Sequence, residues 1–143
     1  MEDQQEKERT ERALKFYEAL SGYFRVRPIE ASIFLHDVVE GLADVINSNE
    51  KLKEDLGYFI GQLKVAAHIL WANDHLSAVQ KKISDPDLHE DIMEAVYRTA
   101  RAYYLLVSGE PIAIVDIAYL IDNATSRLYK VIASLVNDAN KAC

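Results

Sequence analysis

Between Pro111 and Asn140, residues Ile114, Ile117, Ile121, Ala124, Leu128, Val131 and Leu135 follow one another at alternating spacings of three and four. At about 3.6 residues per turn, these positions fall on one stripe of a helix. Such a stripe stays out of water only by lying against other helices. The chain is therefore expected to be all-α, a bundle of helices packed antiparallel or obliquely. The seam says nothing about chemistry.

The three prolines sit at joints rather than inside periodic runs. Proline suits the first turn of a helix, where its missing N–H costs nothing. Pro28 is expected to open a helix to Asn47. Pro86, after the capping candidates Ser84 and Asp85, opens one to Ser108. Gly109 closes that helix and Pro111 opens the last. Asn47 and Glu50 have capping-box spacing and predict a start near Ser48. Five helices result, at about Gln5–Tyr23, Pro28–Asn47, Ser48–Ser84, Pro86–Ser108 and Pro111–Asn140. Short linkers and a length of 143 residues fit a single domain. About residues 1–5 and 141–143 are expected to fray.

Most of these helices have one dry side. In Pro28–Asn47 the expected core residues are Ile29, Ile33, Val39, Leu42 and Ile46, with Phe34 and Leu35 widening the face. In Pro86–Ser108 they are Leu88, Ile92, Val96, Ala100, Tyr103 and Val107.

The segment Ser48–Ser84 differs, because it has two apolar faces. Leu52, Leu56, Phe59, Leu63, Ala67 and Leu70 form the main one. Tyr58, Val65, Ile69 and Leu76 form another, roughly 180° away at about 100° per residue. Beyond Asn73, the apolar positions Leu76, Val79 and Ile83 all follow the second face. Either the helix bends or breaks near Asn73, or it is a rod of roughly 50 Å. Between the faces run Gly57, Gly61 and Ala72, with His68 and His75 in line. A mid-helix glycine costs about 1 kcal/mol relative to alanine. The strip therefore implies a close approach, either by a neighbouring helix of the same chain or by a subunit or ligand.

The last helix is apolar nearly all round at its start, where only Asp116 and Tyr119 interrupt the run. It is expected to be central in the bundle or covered by a partner. The expected interface comprises Gly57, Gly61, Val65, Ile69, Ile112, Val115 and Tyr119. The leading functional expectation is a non-enzymatic protein acting through protein–protein contact, as an assembly, adaptor or structural subunit. Its first partner would be itself, as a homodimer or higher oligomer, with other proteins as further partners.

Chemistry is sparse. His36 and Asp37 are adjacent, as in metal-dependent phosphohydrolases, but the further ligands such a centre needs have no matching arrangement. A carboxylate-bridged di-metal bundle requires Glu-x-x-His on separate helices, and none occurs. Acidic pairs such as Glu54–Asp55 and Glu90–Asp91 read as solvated. The acids are too scattered for the magnesium site of an all-α nucleotide pyrophosphohydrolase. No phosphate-binding glycine loop, Ser-His-Asp arrangement or cysteine nucleophile is visible. No catalytic residue, cofactor or metal is expected. The alternative is a small-molecule or metal site using His68 and His75.

A basic-aromatic cluster of Tyr97, Arg98 and Arg101 could serve an anionic partner, with Tyr104 beside it and Arg25 and Arg27 before Pro28. It could equally pair with Glu90 and Glu94 at helical spacing. A net charge of −7 disfavours nucleic acid for the isolated chain. A helical accessory subunit of a nucleoprotein complex is then the remaining alternative. Met1–Arg12 is charged and lacks the apolar core of a secretory leader. The run Ile112–Ile121 is too short for a bilayer. The lone Cys143 allows no internal disulfide. The expectation is a soluble, cytoplasmic protein.

Overall fold

The computed structural model describes residues 28–108 and 111–141, with side chains from 30 to 108 and from 111 to 136. These residues form five helices packed against one another and no strand. They are α1 (Pro28–Asn47), α2 (Glu50–Asn73), α3 (Ser77–Ile83), α4 (Pro86–Ser108) and α5 (Ile114–Lys141). The helix expected at about Gln5–Tyr23, Gly109 as a stop, Arg25, Arg27 and Cys143 lie outside the described residues.

The four long helices close a ring. α1 and α5 each pack against both α2 and α4, which orders them α1, α2, α5, α4 around the core. α1 and α2 are antiparallel: Ser32 Oγ donates to Asp74 Oδ2 at 3.2 Å, and Lys64 Nζ lies 3.8 Å from Glu40 Oε2. α4 and α5 are antiparallel as well, with Arg127 on Asp91 at 3.1 Å. The seven-residue α3 crosses one end of the bundle and touches α1, α4 and α5. It carries the chain diagonally from α2 to α4. As a result α2 and α5, distant in sequence, run the same way side by side.

Local chemistry sets the joints. Asn49, in extended backbone, caps α2 by accepting from the N–H groups of Lys51 and Leu52 at 3.0 and 3.1 Å. The cap is thus two residues later than the Asn47 expected from spacing. Asp85 Oδ1 accepts from Asp87 N–H at 2.9 Å, so of the two capping candidates Asp85 caps α4, with Pro86 in first place. Ser84 instead turns back onto Gln80 O at 2.7 Å, closing α3. Pro111 does not open α5: residues 111–113 are irregular, and Ala113 O accepts the first helical bond, from Asp116 N–H at 3.0 Å.

Of the two readings of Ser48–Ser84, a break near Asn73 or a continuous rod, the structure shows the break. Asn73 Nδ2 donates to Ile69 O at 2.7 Å and Leu76 N–H to Asn73 O at 3.1 Å. Leu76 is extended, which ends helical propagation. The break re-aims the chain beyond it. Ile83 is fully buried and Val79 packs against the core, although both continue the outer face on a straight helix.

The α5 seam is the core's longest strip: Ile117, Ile121, Ala124, Leu128 and Val131 are fully buried, with Ile114 and Leu135 packed at its ends. On α1 the dry stripe is Ala31, Leu35, Val38, Val39, Leu42, Ala43, Val45 and Ile46. Ile33 is 44% exposed and Phe34 36%, against expectation. The small Ala31 and Ser32 occupy the buried positions, so Ile33 faces away; Ile29's side chain lies outside the described residues. Gly41 lets α1 close on α4, for a Cβ there would stand 3.1 Å from the Tyr103 ring. The buried hydroxyls of Thr99 and Thr125 donate to the carbonyls four residues back, at 2.7 and 2.9 Å.

Candidate interaction face

The ring gives each long helix one inner and one outer side. For α2 the sorting follows its two apolar faces. Leu56, Leu63, Ala67 and Leu70 are buried, and Leu52 and Phe59 half-buried. Tyr58 is 75% exposed and Val65 53%, while Ile69 and Leu76 also stand in the open. The glycine strip is not packed against a neighbouring helix of the described chain. A Cβ on Gly61 would meet nothing within 4 Å, and one on Gly57 only Lys53 of its own helix at 3.6 Å. Antiparallel α1 flanks α2 beside Gly57, where Lys64 reaches Glu40 at 3.8 Å and Trp71 meets His36.

α5 is a corner of the ring rather than its centre. Its outer side carries Val115 at 72% and Tyr119 at 66% exposure, with Tyr129 and Val136 further along. Ile112 does not join them: it is half-buried and packs onto the core from the irregular segment. Tyr129 Oη donates to Gln62 Oε1 at 3.3 Å, bridging the outer sides of α5 and α2. Among the described residues, eight of the eleven exposed large apolar side chains belong to these two helices. The structure thus brings Gly61, Val65 and Ile69 to one outer face, with Val115 and Tyr119 on the adjacent helix.

His68 and His75 are both exposed, on α2 and on the turn after it. Two of the histidines meet Trp71. His36 of α1 stacks on its ring at 4.4 Å, and His68 tilts against it at 5.8 Å. Among the described residues no three His, Cys, Asp or Glu side chains gather as metal ligands would. Of the basic-aromatic cluster, Tyr97 and Arg98 are half-buried and Arg101 is exposed. Arg98 Nη2 lies 3.4 Å from Glu94, the helical pairing expected, while its Nε is buried without a hydrogen bond.

One constellation escapes sequence reading. Asp91 of α4, only 8% exposed in its side chain, holds Arg127 at 3.1 Å and Lys130 at 3.6 Å from α5. It borders an open cleft of about 490 Å³ beside the end of α3, lined also by Lys82, Asp85, Asp87 and Glu90. Both charge signs line it, so it offers no consistent preference for an anion or a cation. The only signal in the sequence was an acid on the dry side of its helix, one residue before Ile92.

No helix among the described residues is long and apolar enough to cross a membrane. No protein-family model, curated protein or solved structure matches the chain.

Proposed function

We propose that this is a non-enzymatic helical protein that works through protein–protein contact and associates with itself through the outer sides of α2 and α5. The observation that carries the reading is the second apolar face of α2. Tyr58, Val65 and Ile69 point away from a core that the opposite face already fills. Tyr, Trp and contiguous apolar surface on a well-packed scaffold are what a docking site presents to its partner. Trp71, Val115, Tyr119 and Tyr129 extend that surface along and across the two helices.

The test is light scattering of the purified full chain over a range of concentrations. Wild type is expected to exceed monomer mass at tens of micromolar. Val65→Glu with Tyr119→Glu is expected to return it to monomer with unchanged helical circular dichroism, because both positions are already exposed. A wild-type monomer at every concentration would refute the reading.

A further inference from the structure

We propose that the cleft beside Asp91 binds a small zwitterion of amino-acid size, with the ligand's ammonium on the α4 wall and its carboxylate on the α5 wall. The inference does not depend on the self-association reading, because the cleft uses none of the side chains of that face.

The floor of the cleft is a carboxylate that the chain satisfies on one side only. The Asp91 side chain is 8% exposed, and its Oδ1 accepts from Arg127 Nη1 at 3.1 Å. Oδ2 accepts no hydrogen bond from the described residues. Lys130 Nζ lies 3.6 Å from it, beyond hydrogen-bond reach, at the end of a side chain that is 73% exposed. A buried carboxylate oxygen is costly until a donor reaches it, and a donor from outside reaches Asp91 through the cleft that it borders. Glu90 beside it and Asp87 one turn earlier line the same cleft. Both are exposed, and neither carboxylate has a partner among the described residues. An ammonium placed there meets acceptors on several sides.

The opposite wall is cationic, and its guanidinium is already oriented. Arg127 Nε donates to Asn123 Oδ1 at 3.2 Å while Nη1 donates to Asp91. Nη2 makes neither bond, so its N–H groups remain for another acceptor. Lys130 and Ser134 follow at spacings of three and four, which puts all three on one side of α5, and all three line the cleft. A carboxylate lying along that side meets a guanidinium edge, an ammonium and a hydroxyl, two of them able to make charge-assisted hydrogen bonds.

The mixture of signs then selects the ligand. A lone anion in the cleft is repelled by Asp87 and Glu90, and a lone cation by Arg127 and Lys130. A molecule carrying both charges answers both walls at once. A volume of about 490 Å³ lies in the ordinary range for small-molecule sites.

Nuclear magnetic resonance titration of the isotope-labelled full chain tests this, with free alanine and free glutamine as probes at millimolar concentration. Shifts are expected at the Arg127 side-chain N–H and at the backbone amides of Asp91 and Lys130. N-acetylation of the probe removes its ammonium and amidation removes its carboxylate, and each is expected to weaken binding by about tenfold. Glu90→Gln and Lys130→Gln, both at exposed positions, are expected to weaken it by about threefold or more with unchanged circular dichroism. Probes that leave these resonances unmoved overturn the proposal. A blocked probe that binds as tightly as the free one also overturns it, because the cleft would then read a single charge. Variants that bind like wild type overturn the placement of the two walls.

Discussion

Two glycines in helix interiors should respond in opposite ways to the same substitution. Alanine in place of glycine gains about 1 kcal/mol of helix propensity wherever its Cβ has room. At Gly61 there is room, since nothing lies within 4 Å of the new atom. The monomer should therefore gain about 1 kcal/mol, raising the melting temperature by roughly 3 °C. At Gly41 the new Cβ would stand 3.1 Å from Cε1 and 3.4 Å from Cζ of Tyr103. That ring is 1% exposed and wedged between helices, so it cannot swing aside. Overfilling a packed core costs typically about 1–3 kcal/mol, which outweighs the propensity gain and leaves a net loss of about 1 kcal/mol. Urea unfolding followed by circular dichroism measures both, at concentrations where light scattering gives the monomer, with an unchanged slope confirming comparable end states. If Gly41→Ala stabilises as much as Gly61→Ala, α1 is not held against Tyr103 as described. If Gly61→Ala destabilises the monomer, some other part of the chain covers the α2 strip, and the docking face proposed for it is lost.

Four further outcomes follow from the packing and the caps. Leu128→Asp places an unpaired carboxylate at a fully buried position of the α5 seam; at a cost of several kcal/mol it should abolish the helical circular dichroism of the purified protein. Asp91→Ala strips Arg127 of its buried partner and should cost about 1–2 kcal/mol in urea melts, since Arg127 is one-third exposed and recovers water. Lys130→Ala, removing the 73%-exposed member of the same cluster, should change stability by less than about 0.5 kcal/mol; a larger loss would show that Lys130 and not Arg127 neutralises Asp91. Asn49→Ala removes two cap hydrogen bonds from the start of α2 and should cost about 1 kcal/mol, whereas Asn47→Ala should not, and thermal melts of the two variants separate the cap seen from the one its spacing suggests.

The long seams were legible because periodicity records burial directly. Ile117, Ile121, Leu128 and Val131 could have no other side to face, and the two apolar faces of α2 were countable from spacing alone. Where reading by size went astray, small residues had taken the buried positions. Ala31 and Ser32 sit inside while Ile33 stands outside, because helix–helix contacts admit small side chains at close approach and leave a bulky one to the flank. Gly41 passed unnoticed for the same reason: its role exists only once Tyr103, far along the chain, is brought against it. The Asp91 cluster was equally hidden, since a buried acid reads as a solvated one until its cations arrive from α5.

By itself, then, the order of residues determined that the chain would be helical, which faces would be dry, and that α2 would carry more apolar surface than one core could take. These are local properties, set by side chains within a turn or two of each other. Tertiary structure alone decided between the break near Asn73 and a continuous rod, that α3 carries the chain diagonally across the bundle, and that α2 and α5 become neighbours with their spare faces outward. Those outcomes depend on which helices meet, and contact between distant segments leaves no periodic trace in either one.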